Sequence, residues 1–221
     1  MKSARSVRIF TGISIATLAI SAISALAFGT VSASITKIDA FAGIDKRPDK
    51  KSSAINYLLV GSDTREGLTK AELKELRVGS VATAAGKRSD TMLLVHISKA
   101  RDKAVLVSIP RDTFALIPAH LNKAGKTIPA VHSKINSAFN WGGAPLLIQT
   151  IEEMTQLKID HYVEVNFAGF ASVIDSLGGI EVCTKKDIDD PKSHLVLPAG
   201  VHTLNGIEAL KYVRTREFDG M

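Results

Sequence analysis

Across residues 54–221, short β-branched runs alternate with segments whose apolar residues recur at helical spacing, and this alternation restricts the fold more than any other feature. Ile55–Val60 is an apolar run stopped by Gly61-Ser62-Asp63, which reads as a buried strand. Thr69 and Glu72 have the spacing of a capping box for a short helix ending near Arg77, and the small residues of 79–86 follow as a mobile loop. Thr91–Ile97 and Ala104–Ile109 are two β-rich runs that Ser98–Lys103 joins as a hairpin. Leu147, Ile151 and Met154 give Pro145–Gln156 a helical period, and His161–Val165 returns to strand. Phe167, Phe170, Ile174 and Leu177 line one face of a further helix that Gly178-Gly179 ends. Ile180–Thr184 is another strand, and Asn205 caps a last short helix carrying Ile207 and Leu210. Strands alternating with helices in this way predict an α/β fold, an α-β-α sandwich around a mixed central sheet.

The N-terminal part is of a different kind. Lys2, Arg5 and Arg8 precede a stretch free of charge from Ile9 to Thr36, long enough to cross a bilayer as one transmembrane helix. Residues 1–8 are read as a cytoplasmic N terminus, 9–36 as a signal anchor, 37–53 as a polar linker and 54–221 as an extracytoplasmic domain. A cleaved secretory signal, permitted by the small residues Ala25 and Ala27, is the alternative; both export the domain. Lys37, Lys46, Arg47, Lys50 and Lys51 beyond the span weaken the charge asymmetry that sets this orientation. The expected location is the cell membrane, single-pass, with the lipid bilayer as one partner.

A net charge of +6 and a pI of about 9.4 call for an anionic partner, a description that nucleic acid, anionic lipid and phosphorylated glycan all satisfy. No helix-turn-helix pattern or basic stripe is present, and an exported domain does not meet DNA, so nucleic acid is set aside. The single cysteine, Cys183, excludes an internal disulfide and a cysteine-based zinc site; within Ile180–Thr184 it reads as a buried structural thiol.

The candidate chemistry lies where strands begin and end. Asp63 follows the first strand, at the position where open α/β sheets hold their sites, although a turn-forming aspartate would look the same. Asp90, in Arg88-Ser89-Asp90-Thr91, opens the next strand. If the two strands are antiparallel neighbours, Asp63 and Asp90 can share a divalent cation, and magnesium suits one or two carboxylates completed by water and phosphate oxygens. General acid–base hydrolysis of a glycoside is a rival use of two carboxylates. Ser108-Ile109-Pro110-Arg111-Asp112 closes the third run and presents the planar fork of Arg111, which fits phosphate oxygens. Asp112 orients that guanidinium or caps the following turn. Arg65 and Arg88 flank the two aspartates, and Lys134 offers a point charge from a loop rich in lysine and histidine. Tyr212-Val213-Arg214-Thr215-Arg216 places two arginines on one side only if the chain is extended there. Trp141 is either a sugar platform or an aromatic packed on the sheet, the second being the simpler reading. His120, His132 and His161 have no metal-ligand spacing and are assigned nothing.

The motifs Leu59-Val60-Gly61-Ser62-Asp63-Thr64-Arg65, Arg88-Ser89-Asp90-Thr91-Met92, Ser108-Ile109-Pro110-Arg111-Asp112, Lys134-Ile135-Asn136-Ser137-Ala138, Val163-Glu164-Val165-Asn166-Phe167 and Val213-Arg214-Thr215-Arg216 resemble, in this order, those of the LytR-CpsA-Psr family. The resemblance implies an extracytoplasmic phosphotransferase that moves a glycopolymer from a polyprenyl-pyrophosphate carrier to peptidoglycan, forming a phosphodiester to a muramic acid hydroxyl. It implies magnesium, with manganese as a substitute, at Asp63 and Asp90, pyrophosphate contacts at Arg88, Arg111, Arg214 and Arg216, and an apolar interior that admits a lipid tail. Asp63, Asp90 and Arg111 are therefore the expected catalytic residues, and Arg65 and Lys134 join the expected pyrophosphate contacts. The family continues past the Arg-x-Arg pair, whereas this sequence ends five residues after Arg216, so a C-terminally incomplete domain is expected. The alternatives are a truncated protein that binds the lipid pyrophosphate without transferring it, and the transcriptional attenuator or regulator role with which such proteins have been labelled.

Overall fold

The computed structural model describes residues 36–65, 67–76, 89–122 and 124–215. The expected anchor at 9–36 lies outside these residues except for its last position, as do the expected loop at 79–86 and the expected helix end at Arg77; among the described residues no helix is long and apolar enough to cross a membrane.

The centre is a four-stranded mixed sheet in the order β3-β2-β1-β8. Strand β1 (Ile55–Ser62) pairs antiparallel with β2 (Ser89–Ile97) and parallel with β8 (His161–Val165), while β3 (Ala104–Ile109) pairs antiparallel with β2. The β2–β3 hairpin turns through Ser98–Lys103 as its composition predicts, closed by Ser98 N–H to Lys103 O at 2.9 Å. Along β1 alternate residues are buried, which sends Leu58 and Val60 to one face with Met92 and Leu94 of β2. Complete burial of such side chains stabilises by about 1.5–3 kcal/mol each. Asn56 also lies on that face, and its amide is satisfied by Lys158 O at 2.7 Å and His96 Nδ1 at 2.7 Å, which removes the cost of burying it.

Helix α2 (Asn136–Thr155) covers this face with Phe139, Leu147, Ile148 and Ile151. It begins well before Pro145, because two helical segments meet at a break where Gly143 has φ 66° and ψ −153°. Met154, assigned to its apolar stripe from spacing, faces outward. Before it, residues 114–134 form a β-arm that the sequence disguises as a loop. Strand β4 (Phe114–Ile117) pairs with β7 (Val131–Lys134), and further out β5 (His120–Leu121) pairs with β6 (Thr127–Ile128).

The remaining part packs on itself. Helix α1 (Lys70–Leu76) starts with the expected box: Glu72 Oε2 accepts from Thr69 N–H at 2.7 Å, and Glu72 N–H donates to Thr69 Oγ1 at 3.3 Å. Helix α3 (Phe167–Ser176) is capped by Asn166, whose Oδ1 accepts from Gly169 N–H at 2.7 Å. Helix α4 (Gly206–Arg214) is capped by a reciprocal Asn205–Glu208 box. Where α3 and α4 touch, a Cβ on Gly206 would stand 2.2 Å from Ala171 O, so only glycine permits that approach. The hairpins β9–β12 (Ile180–Thr184 with Gly200–Leu204) and β10–β11 (Ile188–Asp190 with Leu195–Leu197) complete a second apolar cluster with Ile174, Leu204 and Ala209. Leu177, expected on the buried stripe of α3, is exposed beyond its last turn. Cys183 is exposed rather than buried, because β9 belongs to a two-stranded ribbon and Cys183 shares its outer side with Val201.

The stretch read as a linker is docked from Ala40 onward. Ala40 is part of the main core, with Phe41 and Ile44 against it. Arg47 grips Glu152 of α2, with Nη2 2.7 Å from Oε1 and Nε 3.1 Å from Oε2; its Nη2 also donates to Ile159 O. Glu152, 1% exposed, accepts from Ile159 N–H at 2.7 Å as well, so its buried charge is both paired and solvated by the backbone. Lys50 meets Asp160 at 2.6 Å, and Asp160 accepts from Asn56 N–H at 2.9 Å.

Candidate functional site

Antiparallel pairing brings the end of β1 to the start of β2. Ser62 faces Ser89 and Gly61 faces Thr91, with a register shift between them, so Asp90 occupies a β-bulge directly beside the last residues of β1. A Cβ on Gly61 would sit 3.2 Å from Thr91 Cβ, which is why glycine precedes this corner. Met92 pairs with Ile109, so β3 ends at the same edge and Pro110-Arg111 leave the sheet next to it. On the other side Val165 pairs with Gly61, and Asn166 opens α3. One edge of the sheet thus collects, strand by strand, Arg111, Asp90, Asp63 and Asn166.

Two further segments join this edge. Helix α4 ends with Arg214, whose Nη1 donates to Leu76 O at the end of α1 at 3.0 Å and whose guanidinium carbon lies 5.7 Å from the Phe167 ring centroid. Arg214 is therefore helical, not extended as the two-residue spacing to Arg216 required; the chain becomes extended only at Thr215. Burial first, and then the like charge of Arg65, hold its guanidinium below the ordinary arginine range, against an opposing pull from Asp190. Arg65 and Arg214 are thus close enough to feel one another, an arrangement that an anion between them would relieve. Asp190, 1% exposed, escaped the sequence reading; the pair Asp189-Asp190 before Pro191 was its only signal.

Lys134 ends β7, and its Nζ lies 3.0 Å from Asp112 Oδ1, both side chains being largely exposed. The backbone fixes this segment to the edge: Asn136 N–H donates to Arg111 O at 3.2 Å and Ile135 N–H to Thr113 O at 2.8 Å. Asp112 is thus the partner of Lys134, a contact of small energetic weight at such exposure. Arg88 and Arg216 lie outside the described residues.

The oxygens at the β1–β2 corner suit a hard cation. Beside Asp63 stand the hydroxyls of Ser62 and Thr64, 3.0 Å apart, and that of Ser89, fully buried and without a hydrogen-bond partner among the described residues. Among the described residues no group of three or more His, Cys, Asp or Glu could hold a metal ion. Magnesium needs no such cage, since it keeps waters and takes phosphate oxygens.

The three histidines given no role each stack on an aromatic ring: His161 on Tyr57 at 4.6 Å, His132 on Phe114 at 5.4 Å and His120 on Trp141 at 5.5 Å. Trp141 packs against the β-arm rather than the central sheet, and it borders a cavity of about 540 Å³.

Comparison with known proteins gives a consistent picture. The model of the LytR_cpsA_psr family matches residues 26–221. A probable cell wall biosynthesis protein, LcpB of Corynebacterium glutamicum, is 38% identical over 166 residues, covering 75% of this chain and 37% of the relative. The polyisoprenyl-teichoic acid–peptidoglycan teichoic acid transferase TagT of Bacillus subtilis is 35% identical over 180 residues, covering 79% of this chain and 49% of TagT. The structure of TagT with bound octaprenyl pyrophosphate lipid superimposes with a TM-score of 0.55 at 31% identity, covering 82% of this chain and 61% of that one. The chain therefore spans about half the length of TagT and less of LcpB.

Proposed function

The chain belongs to the LytR_cpsA_psr family, and from that premise we propose that it is the donor-binding and catalytic part of a transferase. The reaction moves a glycopolymer from a polyprenyl-pyrophosphate carrier to peptidoglycan. The observation that carries this reading is the convergence of Asp63, Arg65, Arg111 and Arg214 on one sheet edge, with Arg214 held below its ordinary range beside Arg65. The teichoic acid transfer carried out by TagT and the octaprenyl pyrophosphate bound in its structure support the same chemistry.

An acceptor hydroxyl of peptidoglycan attacks the phosphorus that bears the glycopolymer. The bond from that phosphorus to the bridging oxygen breaks, and polyprenyl phosphate leaves with the bonding pair. The hydroxyl proton passes to a carboxylate at the corner, Asp63 or Asp90. Arg65, Arg111 and Arg214, with Arg88 and Arg216, hold the non-bridging oxygens and take up the charge that develops on them. Lys134 adds a point charge at the rim. Asp63 and Asp90 would hold magnesium, for which manganese would substitute, and the ion would supply Lewis-acid stabilisation of charge on the phosphate oxygens. The charge-free residues 9–36 anchor the protein in the membrane with this domain outside, where the lipid-borne donor is presented.

The test is transfer from a lipid-pyrophosphate glycan to peptidoglycan by the full chain, with and without magnesium. Asp63→Ala and Arg111→Ala are each expected to lower the rate by roughly 100-fold or more. Turnover unchanged in either variant, or insensitive to chelation, overturns the site assignment.

A further inference from the structure

The cavity of about 540 Å³ lies between the tip of the β-arm and the first segment of α2, and its walls include His120, Asn122, Ile128, Val131, Asn140 and Trp141. Its volume is that of a small-molecule site, and the phosphate chemistry above makes no use of it. We infer that it is a binding groove for the glycan backbone of the peptidoglycan acceptor, with Trp141 as the sugar platform. The inference rests on the proposed transfer reaction and names where its acceptor lies.

Four observations carry it. The His120 and Trp141 rings are stacked, 5.5 Å apart with planes 12° from parallel, so His120 backs and fixes the indole of Trp141. An aromatic face is electron-rich and attracts the polarised axial C–H bonds of a pyranose. Trp141 remains exposed, leaving ring surface for such a contact. Second, the polar groups around the stacked pair are pre-set. His120 Nδ1 lies 2.9 Å from Pro118 O, which can only accept, so that nitrogen carries the proton and Nε2 is left as an acceptor in the neutral ring. Asn122 Oδ1 accepts from Ala124 N–H at 3.0 Å and Lys126 N–H at 2.9 Å, which turns its two amide donors away from the turn.

Third, among the described residues those walls are uncharged, the neighbouring Lys123 lying outside the described residues. N-acetylated sugars offer hydroxyls and amides to Asn122 and Asn140 and acetyl methyls to Ile128 and Val131. Fourth, the groove lies a short way along α2 from the phosphate edge. The first residue of α2 bonds Arg111 O, and Trp141 follows five residues later, about 7.5 Å along the helix axis at 1.5 Å per residue. The break at Gly143 directly after it separates this helical segment from the one that fills the core.

Trp141 is the only tryptophan of the chain, so its emission reports on the groove alone. The experiment titrates the full chain with peptide-free oligosaccharides of alternating N-acetylglucosamine and N-acetylmuramic acid, followed by tryptophan fluorescence. A saturable change is expected, weakened at least tenfold by His120→Ala and by Asn140→Ala at unchanged circular dichroism. Arg111→Ala is expected to bind these oligosaccharides as the parent does, because it removes the phosphate site only. No saturable change, or undiminished binding by both groove variants, overturns the inference. So does a response saturated by the free donor glycopolymer in preference to the glycan strand. Loss of transfer with glycan binding intact counts against the reaction proposed above and leaves the groove standing.

Discussion

The two ends of β1 treat charge in opposite ways. At its beginning, opposite charges meet: Arg47 closes on the buried Glu152 at 2.7 Å and Lys50 on Asp160 at 2.6 Å. At its finish, like charges gather: partial burial and then Arg65 depress the half-buried Arg214, and Arg111 arrives from the neighbouring strand end. The first arrangement fastens residues 40–54 to the domain and serves stability. The second sets two arginines beside one another with Asp190 as a counterweight, and a bound polyanion would relieve what repulsion is left. Changes at the first end should therefore unfold the protein without altering what it binds, and changes at the second should do the reverse.

The largest effect is expected from Glu152→Ala. It leaves Arg47 without its carboxylate, removes the acceptor of Ile159 N–H and opens a space in a fully packed wall. Breaking a buried pair in this way costs about 3–5 kcal/mol, measurable as a lower urea midpoint. Where the variant remains folded, its affinity for inorganic pyrophosphate should match that of the parent. A loss of affinity beyond the loss of folded protein would show that the two ends are not independent.

Arg214→Met tests the opposite end. A charge-assisted hydrogen bond to phosphate contributes about 1.5–3 kcal/mol, so pyrophosphate affinity should fall roughly 10–100-fold. Stability should change less, because the lost bond to Leu76 O and the lost attraction to Asp190 are offset in part by removing a half-buried like charge next to Arg65. A large drop in the unfolding midpoint would make Arg214 a structural strut and remove it from the anion site.

These two ends also differ in how much the sequence disclosed. The finish of β1 was legible because its signals are local: Gly61-Ser62-Asp63 and Pro110-Arg111 each follow a β-branched run, and the hairpin at Ser98–Lys103 fixes their pairing. The caps at Thr69–Glu72 and Asn205–Glu208 are local in the same sense. The beginning of β1 was illegible, since Arg47 finds Glu152 105 positions away and nothing in a lysine-rich polar stretch announces that partner. The β-arm escaped because its strands run only two to four residues, too short for a period to emerge. Cys183 was misplaced because alternation in β9 does not say which side of a two-stranded ribbon will be covered. The condition on Arg214 and Arg216, an extended chain, could not be read locally, because α4 continues through Arg214 and the backbone turns extended only at Thr215.

The smallest effect concerns acid. Burial pushes the Asp160 carboxyl up, but Lys50, the Asn56 N–H and the nearby His161 together hold it below the usual aspartate range. A carboxyl depressed in the folded chain stabilises it above the unfolded-state pKa, and that stability is lost as pH falls through the folded value. The unfolding free energy should therefore be flat near neutrality and decline once pH drops below about 4, the ordinary aspartate range. Asp160→Asn should flatten that decline, with a loss near neutrality of about 1 kcal/mol or less, because Lys50 is partly exposed and an exposed partner contributes little. Urea midpoints from pH 3 to pH 7 read this directly. A parent and variant that decline in parallel would mean that the acid response comes from elsewhere, and that of the two contacts fastening residues 40–54 only Arg47–Glu152 matters.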